Sequence, residues 1–191
     1  MLKVLLVDDT PHRASALKAE LSKVPGVQVT CTLESPLELL AKVAEHAPDV
    51  VLIDTASPSR DVLEQLAAVS GTAPRPVVIF TDDDDDAAIR AALRAGVSAY
   101  IVDGIAPGRL DPIMRVAIER FEADQQLRAE LSDTKRTLAE RKVVERAKGI
   151  LMQRGMSEAE AFAALRKLAM EKGARLGDVA RQVVDVSALL G

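Results

Sequence analysis

The chain has 191 residues, 25 Lys and Arg against 29 Asp and Glu (formal net charge −4), 48% hydrophobic residues and only 2% aromatics. That length suits one large or two small domains, and the core must be aliphatic. No apolar run approaches the roughly 20 residues that cross a bilayer, and the start MLKVLLVDD turns acidic where a signal peptide would stay apolar. The single cysteine, Cys31, leaves no intrachain disulfide, and no Cys/His group has metal-site spacing. These features predict a cytoplasmic protein.

The charge is divided. Residues 1–119 hold 11 bases and 18 acids, net −7; residues 120–191 hold 14 bases and 11 acids, net +3. Residues 135–154 alone carry seven bases and two acids. Such asymmetry accompanies a nucleic-acid-binding half, or else marks a solvated helix face.

In chain order, short apolar runs rich in β-branched residues occur at 4–7, 27–29, 50–53, 77–80 and 99–102. Runs without polar alternation predict strands buried on both faces, as in a parallel sheet. Helical periodicity fills the gaps. Residues 11–23 place Ala14, Leu17 and Leu21 on one face. The next helix opens at Ser35 with Pro36 and Glu38, the pattern of a capping box, and presents Leu37, Leu40, Ala41 and Ala44. Others follow at about 59–68, 87–95 and from 109 onward. The order (βα)₅ predicts a doubly wound α/β fold with a five-stranded parallel sheet, whose ligands bind at the carboxyl ends of the strands.

Those ends are acidic. The first strand ends in Asp8 and Asp9, the third in Asp54, and the fourth in Thr81 before Asp82–Asp86. Converging carboxylates repel unless a cation neutralises them, and oxygen ligands of this kind suit Mg²⁺. LLVDD, VVLID and IFT at these three ends resemble the receiver domain of bacterial response regulators, over about residues 1–119. The resemblance implies a flavodoxin-like fold in a two-component phosphorelay. It implies Mg²⁺ at Asp8, Asp9 and Asp54, phosphoryl acceptance by Asp54, and switching through Thr81 and Tyr100. One residue departs from the pattern. Where the family has an invariant Lys three residues after the strand-five aromatic, this chain has Asp103. A carboxylate there repels a phosphoryl group and adds to the acidic pocket of Asp8, Asp9 and Asp54. Asp54 is therefore expected to serve as a structural residue or part of a metal- or partner-binding surface, with no phosphorylation switch and no required cofactor.

Beyond residue 109 the periodicity continues to about 154, broken only by Pro112 and Gly149. A helix of about 45 residues would be roughly 65–70 Å long. Leu127, Leu131, Thr134 and Leu138 are spaced as a short heptad seam among charged positions. This reads either as a dimeric coiled coil over a connector at 120–140 or as an amphipathic helix lying against its own domain. Gly155 is placed as a C-terminal cap, and Ser157 with Glu160 forms a capping box. The following helix, to about 172, is expected to bury Ala161, Phe162, Leu165, Leu168 and Ala169. After Gly173 a last helix presents Leu176, Val179, Val183 and Val186, completing a small three-helix core.

The stretch VERAKGILMQRGMSEAEAFAALRKLAMEKGARLGDVARQVV closely resembles the ANTAR domain, an RNA-binding module of transcription antiterminators. With its coiled-coil lead-in the match covers 124–186. IDTASPSRD, TDDDDD and AYIVDG further resemble the nitrate-assimilation antiterminators of the NasT type, where a nitrate-sensing partner is thought to sequester the receiver. The resemblance implies a signal-responsive antiterminator, dimeric when active, that grips a hairpin in a transcript leader. The candidate RNA contacts are Arg141, Lys142, Arg146, Lys148, Arg154, Arg166, Lys167 and Arg175. Without an aromatic pair, an open single-strand platform is not expected. The alternative is a DNA-binding regulator with a helix-turn-helix, but its recognition helix would open on Leu176-Gly177-Asp178, nearly bare of donors. No P-loop is present, no nucleophile is paired with His, and His12 and His46 lie in no motif. An enzyme is not expected.

Overall fold

The computed structural model describes residues 1–8, 14–104 and 108–190. Five parallel strands, β1 (Leu2–Asp8), β2 (Val27–Leu33), β3 (Val50–Asp54), β4 (Val77–Thr81) and β5 (Ala99–Val102), lie in the order β2-β1-β3-β4-β5. This is the flavodoxin-like winding, whose switch point falls between β1 and β3. Every residue of β3 and β4 is buried, as is β1 from Val4 onward, which is why these strands read as continuous apolar runs. Edge strand β2 is mostly half-exposed, and its register against β1 shifts between Val4 and Leu5.

Helices cover both faces. Leu17 and Leu21 of α1 (Ala14–Leu21) join Leu110, Met114 and Ala117 from the start of α5 (Leu110–Gln153) on one side, against Val4, Leu6, Leu52 and Phe80. On the other side α2 (Leu39–His46), α3 (Arg60–Thr72) and α4 (Asp86–Arg94) pack Leu39, Val43, Leu66, Val69 and Ala92 on Leu5, Val51, Ile53 and Ile79. The α4–β5 connection turns at Gly96, with φ +97°. A Cβ there would lie 2.5 Å from the Ser70 hydroxyl, so both conformation and space demand glycine.

The second helix departs from expectation. Pro36–Glu38 forms a single 3₁₀ turn capped by Ser35, whose hydroxyl accepts from the Leu37 amide, and α2 begins only at Leu39. Its buried face is Leu39 and Val43, while Leu37, Ala41 and Ala44 are exposed. Breaking the helix at Glu38 resets the phase of every later side chain.

The chain falls into two compact units, Met1–Gln125 and Gln126–Gly191. In the second, the end of α5 packs with α6 (Glu158–Lys172) and α7 (Leu176–Leu190) around Ala147, Leu165, Ala169, Val179 and Ala180. The small side chains of Ala147, Ala169 and Ala180 leave room for the helices to pack closely. At Gly177 an added Cβ would meet the Glu140 side chain at 3.0 Å. The capping box of Ser157 and Glu160 is formed in both directions, and Gly173 closes α6 in the left-handed conformation. Phe162, expected in this core, is instead 41% exposed. Its place one residue past Ala161 turns it outward, and alanines fill the closely packed interior.

Candidate functional site

In the first unit, β1 and β3 pair in register so that Asp8 stands beside Asp54 at their carboxyl ends. Both are buried, at 7% and 5% exposure. Two neighbouring carboxylates in a poorly solvated edge favour a cation, and their oxygens are of the type that Mg²⁺ takes. Asp9, the third acid of the expected set, lies outside the described residues. Among the described residues no three His, Cys, Asp or Glu side chains are grouped closely enough to hold a metal ion.

Thr81, at the end of β4, is fully buried. Its hydroxyl donates to the Ala56 carbonyl at 2.8 Å and accepts from the Asp83 amide at 3.2 Å. Tyr100 of β5 donates from its hydroxyl to the Asp83 carbonyl at 2.9 Å. Burial holds the Tyr100 phenol above its ordinary pKa, and the Asp83 charge adds to the effect. The Ser57 hydroxyl donates to the Asp83 carboxylate, which with the Asp85 amide holds Asp83 below the usual carboxylate range. The loops after β3 and β4 are thus tied together through Asp83. Sequence reasoning singled out Thr81 and Tyr100 but missed Ser57 and Asp83. The run Asp82–Asp86 showed that acids gather there without showing which one is tethered.

Asp103 takes the left-handed conformation, φ +66°, and its amide donates to the Thr81 carbonyl at 3.1 Å. It is exposed, so it does not share the burial of Asp8 and Asp54 as a single acidic pocket would require. The strand turns out at this point, and Gly104 continues the positive-φ turn.

In the second unit, Arg141, Lys142, Arg146, Arg154, Arg166 and Arg175 are exposed and form no ion pair among the described residues. Lys167 is exposed and only loosely paired, 3.9 Å from Glu171. Lys148 differs. It is 8% exposed, and its ammonium donates to Glu158 at 2.6 Å and to both oxygens of Glu145 at 3.1 Å. These bonds, Glu158's first, raise the Lys148 pKa and lower that of Glu158. Lys148 is therefore a helix-to-helix clamp paired with two carboxylates, unlike the other expected RNA contacts, which are exposed. Leu127, Leu131 and Leu138 are all exposed on α5.

A parallel sheet with acids at its switch point, followed by a basic three-helix unit, defines a two-part regulator. The chain belongs to the response regulator family: residues 4–115 match the response regulator receiver domain, and residues 132–184 match the ANTAR domain. It is 29% identical over 184 residues to the transcriptional regulatory protein PdtaR of Mycobacterium tuberculosis (strain ATCC 25618 / H37Rv), covering 96% of this chain and 89% of that one. A nitrate regulatory protein of Klebsiella oxytoca is 47% identical over 66 residues, 34% of this chain and 17% of that one. Among solved structures, the signal receiver domain of a modulated diguanylate cyclase from Desulfovibrio desulfuricans G20 superposes with a TM-score of 0.57 at 22% identity, over 65% of this chain and 99% of that one, and shows the fold. Among the described residues no helix is long and apolar enough to cross a membrane.

Proposed function

We propose that this receiver–ANTAR regulator is a transcription antiterminator whose second unit grips a hairpin in a transcript leader and keeps a terminator from forming. The observation that carries the reading is the set of six exposed cations, Arg141, Lys142, Arg146, Arg154, Arg166 and Arg175, that have no carboxylate partner among the described residues. Unneutralised cations on one small unit supply the charge that phosphates bind, while sequence is read from exposed loop bases. The nitrate regulatory relative supports a role in nitrate or nitrite assimilation. The acid at 103 fits control by a sequestering nitrate-sensing protein in place of phosphorylation of Asp54. Asp8 and Asp54, with Asp9, would hold Mg²⁺ as a structural ion. The active form would be a dimer joined along Leu127, Leu131 and Leu138.

The test is titration of the whole chain with leader hairpins and with duplex DNA of matched length, with and without the sensor. Tight binding to one hairpin and weak, salt-sensitive binding to the duplex is the expected result. Preference for the duplex would replace the antiterminator with a DNA-binding regulator.

A further inference from the structure

The three-helix unit contains a crevice that shares only Arg154 with the six cations assigned to phosphates. It lies between the end of α5, the end of α6 and the second half of α7, with a volume of about 280 Å³. Leu151, Leu168, Val183 and Val186 give it apolar walls. Four polar side chains also line it: Arg154, Lys172, Gln182 and Ser187. The Lys172 ammonium donates to Gln182 Oε1 at 3.1 Å, which holds the amide and leaves its two N–H donors for a ligand. Neither Arg154 nor Lys172 is ion-paired among the described residues.

Apolar walls, an oriented amide and two cations match the parts of one nucleotide. A base is flat and apolar on its faces and polar on its edge, and its phosphate is an anion. The volume is small for a drug-sized molecule and of the order of a single base. No exposed aromatic pair is available to stack bases in the open, so a base from a loop must be held by enclosure. We propose that this crevice takes one unstacked base of an RNA loop, with Gln182 on its edge and Arg154 and Lys172 on the adjoining phosphates. The assignment rests on the RNA-binding reading above and goes further by placing sequence recognition in the crevice and bulk affinity on the exposed cations.

The test uses the full chain and a pool of RNA hairpins sharing one stem and carrying randomised loops. From the best-bound hairpin, variants are made with an abasic site at each loop position in turn. One abasic position should weaken binding to the parent chain by about tenfold, as expected for a lost base contact. Val186→Phe fills the crevice at a half-exposed position and should itself lose about tenfold on the intact hairpin. It should then lose nothing more at that same abasic position and should keep the parent's salt dependence. Gln182→Leu, which keeps the side chain's bulk, should flatten the preference for one base there. An abasic penalty that persists undiminished in Val186→Phe would overturn the crevice while leaving RNA binding intact. So would a Val186→Phe chain that binds like the parent, or one whose sedimenting mass changes, which would make the crevice a contact between copies. If no hairpin binds above the duplex control, both the crevice and the antiterminator reading fall.

Discussion

Lys148 of α5 and Glu158 of α6 meet at 2.6 Å across the turn that joins their helices, at a lysine only 8% exposed. The lysine stem is covered while the Glu158 carboxylate stays largely exposed, so removing Lys148 loses the packing of its stem together with its tie to α6. Lys148→Ala should therefore lower the melting temperature of the second unit, and Lys148→Met, which keeps the stem, should lower it less. Neither should change the salt slope of RNA binding. Arg146→Ala should do the reverse, leaving stability alone and reducing that slope by about one unit. A Lys148 variant that folds normally but loses a unit of slope would return this residue to the RNA contacts.

The same contacts set a pH window. Glu158 and Glu160 have lowered pKa values in the folded state, Glu158 through Lys148 and Glu160 through the Ser157 amide and hydroxyl. Their stabilisation is present above the unfolded carboxylate value, about 4.3, and is lost as pH falls through the folded values. Lys148 is raised, so its share is present below about 10.4 and is lost as pH rises through the folded value. Amide exchange in α6 should show greatest protection between these limits. Ser157→Ala should weaken the acid limb without touching the alkaline one.

Small phosphodonors should label Asp54 poorly and should not raise RNA affinity, because Asp103 replaces the lysine of the receiver pattern and so withdraws a charge-assisted contact. Asp103→Lys should partly restore phosphoryl binding. Beryllofluoride that tightened RNA binding severalfold in the parent, and not in Asp54→Ala, would reverse this conclusion.

Leu127, Leu131 and Leu138 stand exposed along α5. If they pair two copies, Leu131→Asp with Leu138→Asp should yield monomers by sedimentation, since a charge at a coiled-coil core position is desolvated without a partner. An unchanged mass would reject the seam.

Gly96→Ala should destabilise the receiver unit by about 1–3 kcal/mol, through a positive φ and a clash with Ser70. Adding Ser70→Ala should recover only the part of the clash that the hydroxyl makes, since the Ser70 Cβ still lies 2.8 Å from the added Cβ. Denaturant midpoints of both variants measure that part.

The strand runs, the acidic strand ends and the caps at Ser157 and Gly173 were legible because each depends on a few neighbours in the chain. Two helix faces were not. Glu38 breaks what looked like one helix, so Leu39 and Val43 are buried where Leu40 and Ala44 were expected. Phe162 looked like core because it is large and apolar, yet Ala161 occupies that place. The cations at 146 and 148 are alike in sequence. Only the fold brings Glu158 up to Lys148 and leaves Arg146 alone. The tether from Ser57 to Asp83 spans 26 residues, a separation that no local pattern encodes.

The chain has one tyrosine and no tryptophan. That tyrosine is Tyr100, hydrogen-bonded to the Asp83 carbonyl. The ultraviolet emission of the whole molecule therefore comes almost entirely from one ring at the edge of the acidic site. Any partner, ion or phosphodonor that pulls the phenol away from Asp83 will register in that emission. The protein carries its own optical probe of receiver state, readable in a stopped-flow cell without a label.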